Sequence, residues 1–271
     1  MVLVNLIQKL LLHKGKVLVR GIHKTKVSLC LMIYSLLNEL PYIKIRLYMK
    51  NIIITGANKG LGLEFTKQLS KDNHVIATAR SISSEHELHS LPNVKVKKLD
   101  LLSDATIDQF VEDIADTPID ILINNAGIFH EEQFEGLDPS IWLDEMKINA
   151  LSPISLTHKL MKNLQAGSTK KVIFLSSQMG SIDDNYSGGY YFYRSSKAAL
   201  NASAMSLSID WKDQNIAVLM IHPGWVRTEM GTSKAKLSIE ESVTGMLNVI
   251  ENFTIEQTGA FLNYAGQKLE W

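Results

Sequence analysis

The stretch Lys50–Leu63, KNIIITGANKGLGL, decides how this chain is read. Asn51 to Thr55 is a short β-branched run that enters a turn holding Gly56, Gly60 and Gly62. An amphipathic segment follows, with Leu63, Thr66, Leu69 and Ser70 as its inner face and Phe65 as the weaker match to the period. The order is therefore strand, glycine turn, helix. Glycine reaches backbone angles that other residues resist, and its missing side chain lets a phosphate approach the main chain. Exposed amides and the dipole at the helix N-terminus then favour negative charge. The spacing is G-x-x-x-G-x-G rather than G-x-G-x-x-G.

Working outward, 271 residues suit one α/β domain or two small ones. With 28 basic and 28 acidic residues, nothing points to a nucleic-acid partner. The balance hides an asymmetry: residues 1–48 hold eight Lys or Arg and one acid, Glu39, leaving 20 basic and 27 acidic residues for the remainder. The longest apolar run there, Val27 to Leu37, is too short to span a bilayer. It also lies late for a signal peptide. An acid-poor basic extension suits an organellar presequence, although only two of its cations are Arg. Met49 directly precedes the first strand, so residues 1–48 are expected to be an extension outside the fold, and 49–271 a single domain. Cys30 is the only cysteine, which excludes an internal disulfide or a multi-cysteine metal site. A reducing, cytoplasmic setting is expected, with no membrane partner and no metal. His86 and His89 sit in a polar loop without further ligands.

From Met49 the pattern alternates. Strands are expected near 74–78, 94–97, 119–123, 171–175, 216–221 and 260–262, most of them Val/Ile/Leu-rich runs of the kind buried on both faces. Helices are expected over 103–115 with Ser103 as N-cap, over 141–164 with a break near Pro153, over 193–212 and over 239–251. Such alternation implies right-handed crossovers and a doubly wound parallel sheet with helices on both faces.

Several signals fall in one order along this frame. Thr55-Gly56-x-x-x-Gly60-x-Gly62 follows the first strand, Asp100 the third, and Asn124-Asn125-Ala126-Gly127 the fourth. Asn149 lies in the next helix, Ser176-Ser177 follow the fifth strand, Tyr193-x-x-x-Lys197 opens the next helix, and Pro223-Gly224 follow the sixth strand. The ordered set resembles the short-chain dehydrogenase/reductase family over about 50–271. Ser176-Ser177-x-x-Gly180-Ser181-Ile182, Gly188-Gly189-Tyr190-Tyr191 and Pro223-Gly224-Trp225-Val226-Arg227-Thr228 resemble its C-factor and sniffer-type carbonyl reductase branch.

The resemblance implies a Rossmann-like fold and an NAD(P)-dependent oxidoreductase acting on a small carbonyl or alcohol, with homo-oligomerisation left open. It implies Ser177 on the substrate oxygen, Asn149 in a water-linked proton relay, and Tyr193 and Lys197 as the central pair. As cofactor contacts it implies Gly56, Asn58, Lys59, Gly60, Leu61 and Gly62 in the turn. Asp100 and Leu101 would lie at the adenine, Asn125, Ala126 and Gly127 on the ribose side, and Pro223, Gly224, Val226 and Thr228 by the carboxamide. Only one hydroxyl of Ser176 and Ser177 can face the cleft, because side chains alternate along a strand.

Chemistry supports the pair independently. Hydride addition to a carbonyl puts negative charge on oxygen, so an acid must stand beside it. A free phenol has a pKa of about 10. Lys197 lies four positions on, on the same helix face, with Cβ atoms roughly 5–6 Å apart. At an effective dielectric of about 20, a unit charge roughly 5 Å away contributes roughly 3 kcal/mol. That predicts a Tyr193 pKa lowered by about two units.

Cofactor choice follows from the second strand. An NAD site places an acid about 20 residues past the glycines. Here that position is Arg80, with Lys59 inside the turn, so NADPH is expected over NADH. A cofactor-binding signalling or regulatory protein of the C-factor type is the second expectation.

Overall fold

In the computed structural model the residues described are 49–81, 83, 86–132 and 134–271. The expectations for residues 1–48 lie outside them. Met49–Trp271 form one unit by themselves.

Seven parallel strands carry the domain: β1 (Asn51–Ile54), β2 (His74–Ala79), β3 (Val94–Lys98), β4 (Ile121–Asn124), β5 (Lys171–Leu175), β6 (Ala217–His222) and β7 (Ala260–Asn263). Their order is β3-β2-β1-β4-β5-β6-β7. The sheet therefore grows one way from β1, then returns and grows the other way from β4, the doubly wound arrangement expected. Strand side chains alternate between two cores. Ile53, Leu122, Phe174 and Met220 face one helix layer, while Ile52, Ile54, Ile123, Ile173 and Leu219 face the other.

The helices are α1 (Gly60–Leu69), α2 (Asp104–Ile114), α3 (Pro139–Met146), α4 (Ser152–Lys159), α5 (Met161–Ala166), α6 (Tyr191–Asp210) and α7 (Ile239–Asn252). Ser103 caps α2 as expected, its hydroxyl accepting from Thr106 N at 3.3 Å. Ser238 and Glu241 form a reciprocal capping box on α7.

Three local readings are corrected. Phe65 is fully buried, whereas Leu63 and Leu69 only pack at the core's edge. The helix expected over 141–164 is three helices, and its irregularity lies at a π-helical turn, Lys147–Leu151. That turn ends two residues before Pro153, so the break expected near the proline is found, and Pro153 itself lies in the first turn of α4. Third, α6 begins at Tyr191, two residues before Tyr193, after Tyr190 takes a left-handed conformation at φ 53°.

Candidate active site

A doubly wound sheet predicts a ligand crevice at the carboxyl ends of the strands where the winding reverses. Here that point lies between β1 and β4, and a cavity of about 1140 Å³ opens there.

Its floor is the glycine turn. Gly56 has φ 64°, and a Cβ there would stand 2.9 Å from Ala126 Cα. A Cβ on Gly62 would meet Gly56 O at 2.2 Å, so the first turn of α1 closes directly onto the loop. Asn125 secures both parts: its Nδ2 donates to Thr55 O at 2.8 Å and Gly56 O at 3.1 Å. Thr55 Oγ1 in turn accepts from the backbone N–H groups of Asn125 and Ala126, each at 3.0 Å. This is a cradle that side chains would fill, and its bare backbone suits the pyrophosphate of a dinucleotide.

Gly56, Asn58, Lys59, Gly60, Leu61 and Gly62 all line the cavity, as do Arg80, Asp100 and Leu101. Asn125, Ala126, Gly127, Pro223 and Thr228 border it too, together with Tyr193 and Lys197. Gly224 and Val226 do not. Gly224, at φ 82°, packs against Leu237, and Val226 is buried and bridged to Leu237, so both help to shape the segment after β6. Asn125 borders the cavity, but its amide is spent on the turn. The two expected cations also differ. Lys59 forms an ion pair with Glu229, whereas Arg80 is exposed and has no ion pair among the described residues.

At the other end of the cavity, α6 presents Tyr193 and Lys197, both buried. Lys197 Nζ donates to Leu175 O at 2.8 Å and lies 5.7 Å from the Tyr193 ring centroid. Phe129 sets its edge on the Tyr193 ring at 5.2 Å. Ser176 touches the cavity, yet its hydroxyl bonds Asn201 Oδ1 at 2.6 Å. The Ser177 hydroxyl is close enough to Tyr193 to pull the phenol's pKa down against its burial. The Ser176 hydroxyl is thus committed to Asn201, while the Ser177 hydroxyl accepts from Met179 N at 3.1 Å and keeps its own proton to donate.

Asn149 lies in the π-helical turn and is buried. Its Oδ1 accepts from Ile128 N at 2.9 Å, and its Nδ2 donates to Ile128 O at 2.8 Å and Ser196 Oγ at 3.0 Å. The side chain thus ties the loop after β4 to α6. A π turn breaks the regular i→i−4 ladder and releases backbone polar groups for other partners.

The lowered phenol pKa is not found. Burial pushes Tyr193 up to about 12, the Ser177 hydrogen bond pulls against it, and the Glu145 carboxylate adds to the rise. Lys197 is itself pushed down to about 8 by burial, with Glu145 opposing. Desolvation outweighs the attraction that the i,i+4 spacing predicted, because both groups left water together.

Sequence reasoning missed Glu145 and its partner His130. A charged residue in an amphipathic helix reads as solvated, yet Glu145 is fully buried. Its spacing four before Asn149, on the same helical face, was the available signal. Among the described residues there is no cluster that could hold a metal and no helix long and apolar enough to cross a membrane.

A parallel doubly wound sheet with a glycine cradle at its switch point, facing a buried Tyr/Lys pair, defines a dinucleotide-dependent α/β oxidoreductase. The short chain dehydrogenase family model matches residues 50–237, and the chain belongs to that family. It is similar to C-signal of Myxococcus xanthus, 38% identical over 163 residues, covering 60% of this chain and 98% of the relative. It is 32% identical to an uncharacterized oxidoreductase of Schizosaccharomyces pombe over 243 residues, covering 80% of this chain and 96% of the relative. Among solved structures it resembles the carbonyl reductase Sniffer of D. melanogaster, with TM-score 0.78, 33% identity, and coverage of 83% of this chain and 100% of that one. The NADPH-bound carbonyl reductase from chicken fatty liver aligns with TM-score 0.77 and 30% identity, at the same coverage of both chains.

Proposed function

We propose that this chain is an NADPH-dependent reductase of small carbonyl compounds, with Tyr193 as the proton donor. The observation that carries the reading is the placement of a buried phenol, with the buried Lys197 ammonium 5.7 Å from its ring, in the same cavity as the glycine cradle. NADPH-bound and carbonyl-reducing relatives of the same fold support it.

The residues fit the cofactor as follows. The glycine turn would hold the pyrophosphate, Asp100 and Leu101 the adenine, and Arg80 the 2′-phosphate. Lys197 would bind the nicotinamide ribose, and Thr228 the carboxamide. Bound there, the nicotinamide supplies a hydride to the carbonyl carbon. Everything else falls to this chain.

Ser177 polarises the carbonyl oxygen. Tyr193, kept protonated well above neutrality by burial, donates its proton as negative charge develops on that oxygen. An alkoxide is a much stronger base than a phenolate, so the raised pKa does not forbid the transfer. Lys197, charged below about pH 8, stabilises the phenolate left behind, and its proton is replenished through the polar groups that the π turn at Asn149 gathers. The cation count at the adenosine end supports NADPH over NADH: Arg80 is exposed on the cavity wall, and no acid stands in its place.

The test is NADPH oxidation with a panel of aldehydes, ketones and quinones, monitored beside NADPH binding. Turnover that vanishes in Tyr193→Phe supports the reading. Binding without turnover on any carbonyl overturns it in favour of a signalling protein, a second reading favoured by the likeness to C-signal.

A further inference from the structure

A buried carboxylate stands behind the candidate site without a part in the scheme above. Glu145, on α3, has no exposed surface. Its Oε2 accepts from His130 N at 3.2 Å and makes a 2.9 Å hydrogen bond with His130 Nδ1. The backbone N–H can only donate, so Oε2 is an acceptor. With Glu145 ionised, Nδ1 must then be the protonated ring nitrogen. The tautomer of His130 is fixed by this double contact. Nε2 is left as the basic nitrogen of the neutral ring, as when a buried carboxylate orients a catalytic histidine.

His130 is not a core histidine. Its side chain is 46% exposed and lines the same cavity as Tyr193. The preceding residue, Phe129, packs edge-on against the Tyr193 ring and at 5.7 Å against Tyr190, giving that end of the cavity an aromatic wall. His130 is the next residue after Phe129 and lines the same cavity. The charged groups around Glu145 are His130, Glu132, Tyr193 and Lys197. Glu132 is occupied in part by the Phe192 N–H at 3.0 Å.

We propose that His130, held by Glu145, is a specificity-determining residue whose Nε2 accepts a hydrogen bond from a substrate hydroxyl adjacent to the reacting carbonyl. The substrate class is thus a hydroxycarbonyl compound with an apolar or aromatic body, rather than a plain ketone. Glu145 is a positioning residue that acts through the imidazole. This inference rests on the oxidoreductase reading given above.

A matched pair tests it. 2-Hydroxyacetophenone and propiophenone differ by a hydroxyl in place of a methyl at the position next to the carbonyl. One neutral hydrogen bond at a part-exposed ring corresponds to a preference of about threefold to tenfold in kcat/KM. The parent should show that preference for the hydroxyketone, carried mainly by KM. His130→Phe keeps the aromatic wall but removes the acceptor, and should bring the ratio to about 1. Glu145→Gln keeps an oxygen where Oε2 stood and should retain much of the preference. Glu145→Leu should lose it. Melting temperature and NADPH affinity, measured on each variant, separate misfolding from lost recognition, and His130→Phe serves where Glu145→Leu fails to fold. Equal kcat/KM for the two ketones in the parent overturns the inference while leaving the oxidoreductase reading intact. So does an undiminished preference in His130→Phe. Failure to reduce either ketone or any aldehyde overturns both.

Discussion

Replacing Tyr193 by Phe removes one oxygen and leaves the ring. The ring's contacts are the part that holds structure: its edge-to-face packing with Phe129 at 5.2 Å survives, as does burial inside α6. What is lost is the hydrogen bond with Ser177, worth about 1 kcal/mol net, partly offset because a buried polar group no longer needs a partner. Ser177 still accepts from Met179 N at 3.1 Å, so its hydroxyl is not orphaned. For a domain of this size the melting temperature should move by no more than about 4 °C. NADPH affinity should stay within about twofold, because Lys197 and the glycine turn are untouched. The proton donor, however, is gone, and general acid catalysis contributes typically 10²–10⁴-fold. That corresponds to about 3–5 kcal/mol on the barrier. The assay is steady-state reduction of a reactive aldehyde, paired with fluorescence titration of NADPH and a thermal melt. A variant that turns over as fast as the parent refutes Tyr193 as the acid. A variant that loses NADPH binding or melts many degrees lower shows instead that the hydroxyl is structural.

Lys197→Ala should differ in kind, weakening NADPH affinity and turnover together, since the ammonium is assigned both a ribose contact and the phenolate; equal affinity in that variant would separate the two roles. Arg80→Asp should erase or reverse a preference for NADPH over NADH, read as the ratio of dissociation constants, and equal constants in the parent would defeat the argument from Arg80. A chain beginning at Met49 should fold and melt within a few degrees of the full chain, because residues 49–271 hold both hydrophobic cores themselves; insolubility would show that residues 1–48 are needed. His222, at the end of β6, has an unpartnered buried Nδ1 and is pushed down to about 4 by burial. The unfolded chain then binds a proton that the folded one refuses, so stability present above about pH 6.5 is lost as pH falls toward 4, by at most about 3 kcal/mol. Denaturant melts at pH 7 and pH 4.5 should show a smaller acid loss in His222→Gln than in the parent, and identical losses would clear His222.

The central strands were readable because strands buried on both faces are written as Val/Ile/Leu runs, whereas β3 alternates Val with Lys and none of its residues is fully buried; helix starts such as Ser103 announce themselves chemically. Phe65 was undervalued because a period is scored along one helix, while its burial comes from the sheet beneath it. A break near Pro153 was legible because proline interrupts helices in general, and the π turn at Lys147–Leu151 ends two residues before it. Not legible was the tie that holds Asn149 in that turn to Ile128 and Ser196, contacts 21 and 47 residues away in sequence. The same limit governs the site. The spacing of Tyr193 and Lys197 located the pair correctly but gave the wrong sign for the phenol's shift, since spacing carries distance and not desolvation. Glu145 and His130, 15 residues apart, meet only because α3 folds back over the loop after β4.

The ion pair between Lys59 and Glu229 joins the glycine turn to the segment after β6, two opposite lips of one cavity. Both side chains are largely exposed, so the pair adds little to stability. Its consequence is competitive: in the NADPH reading a cofactor phosphate and the Glu229 carboxylate would share one ammonium, and added salt, which screens exposed charges beyond roughly 8 Å at physiological strength, weakens both contacts together.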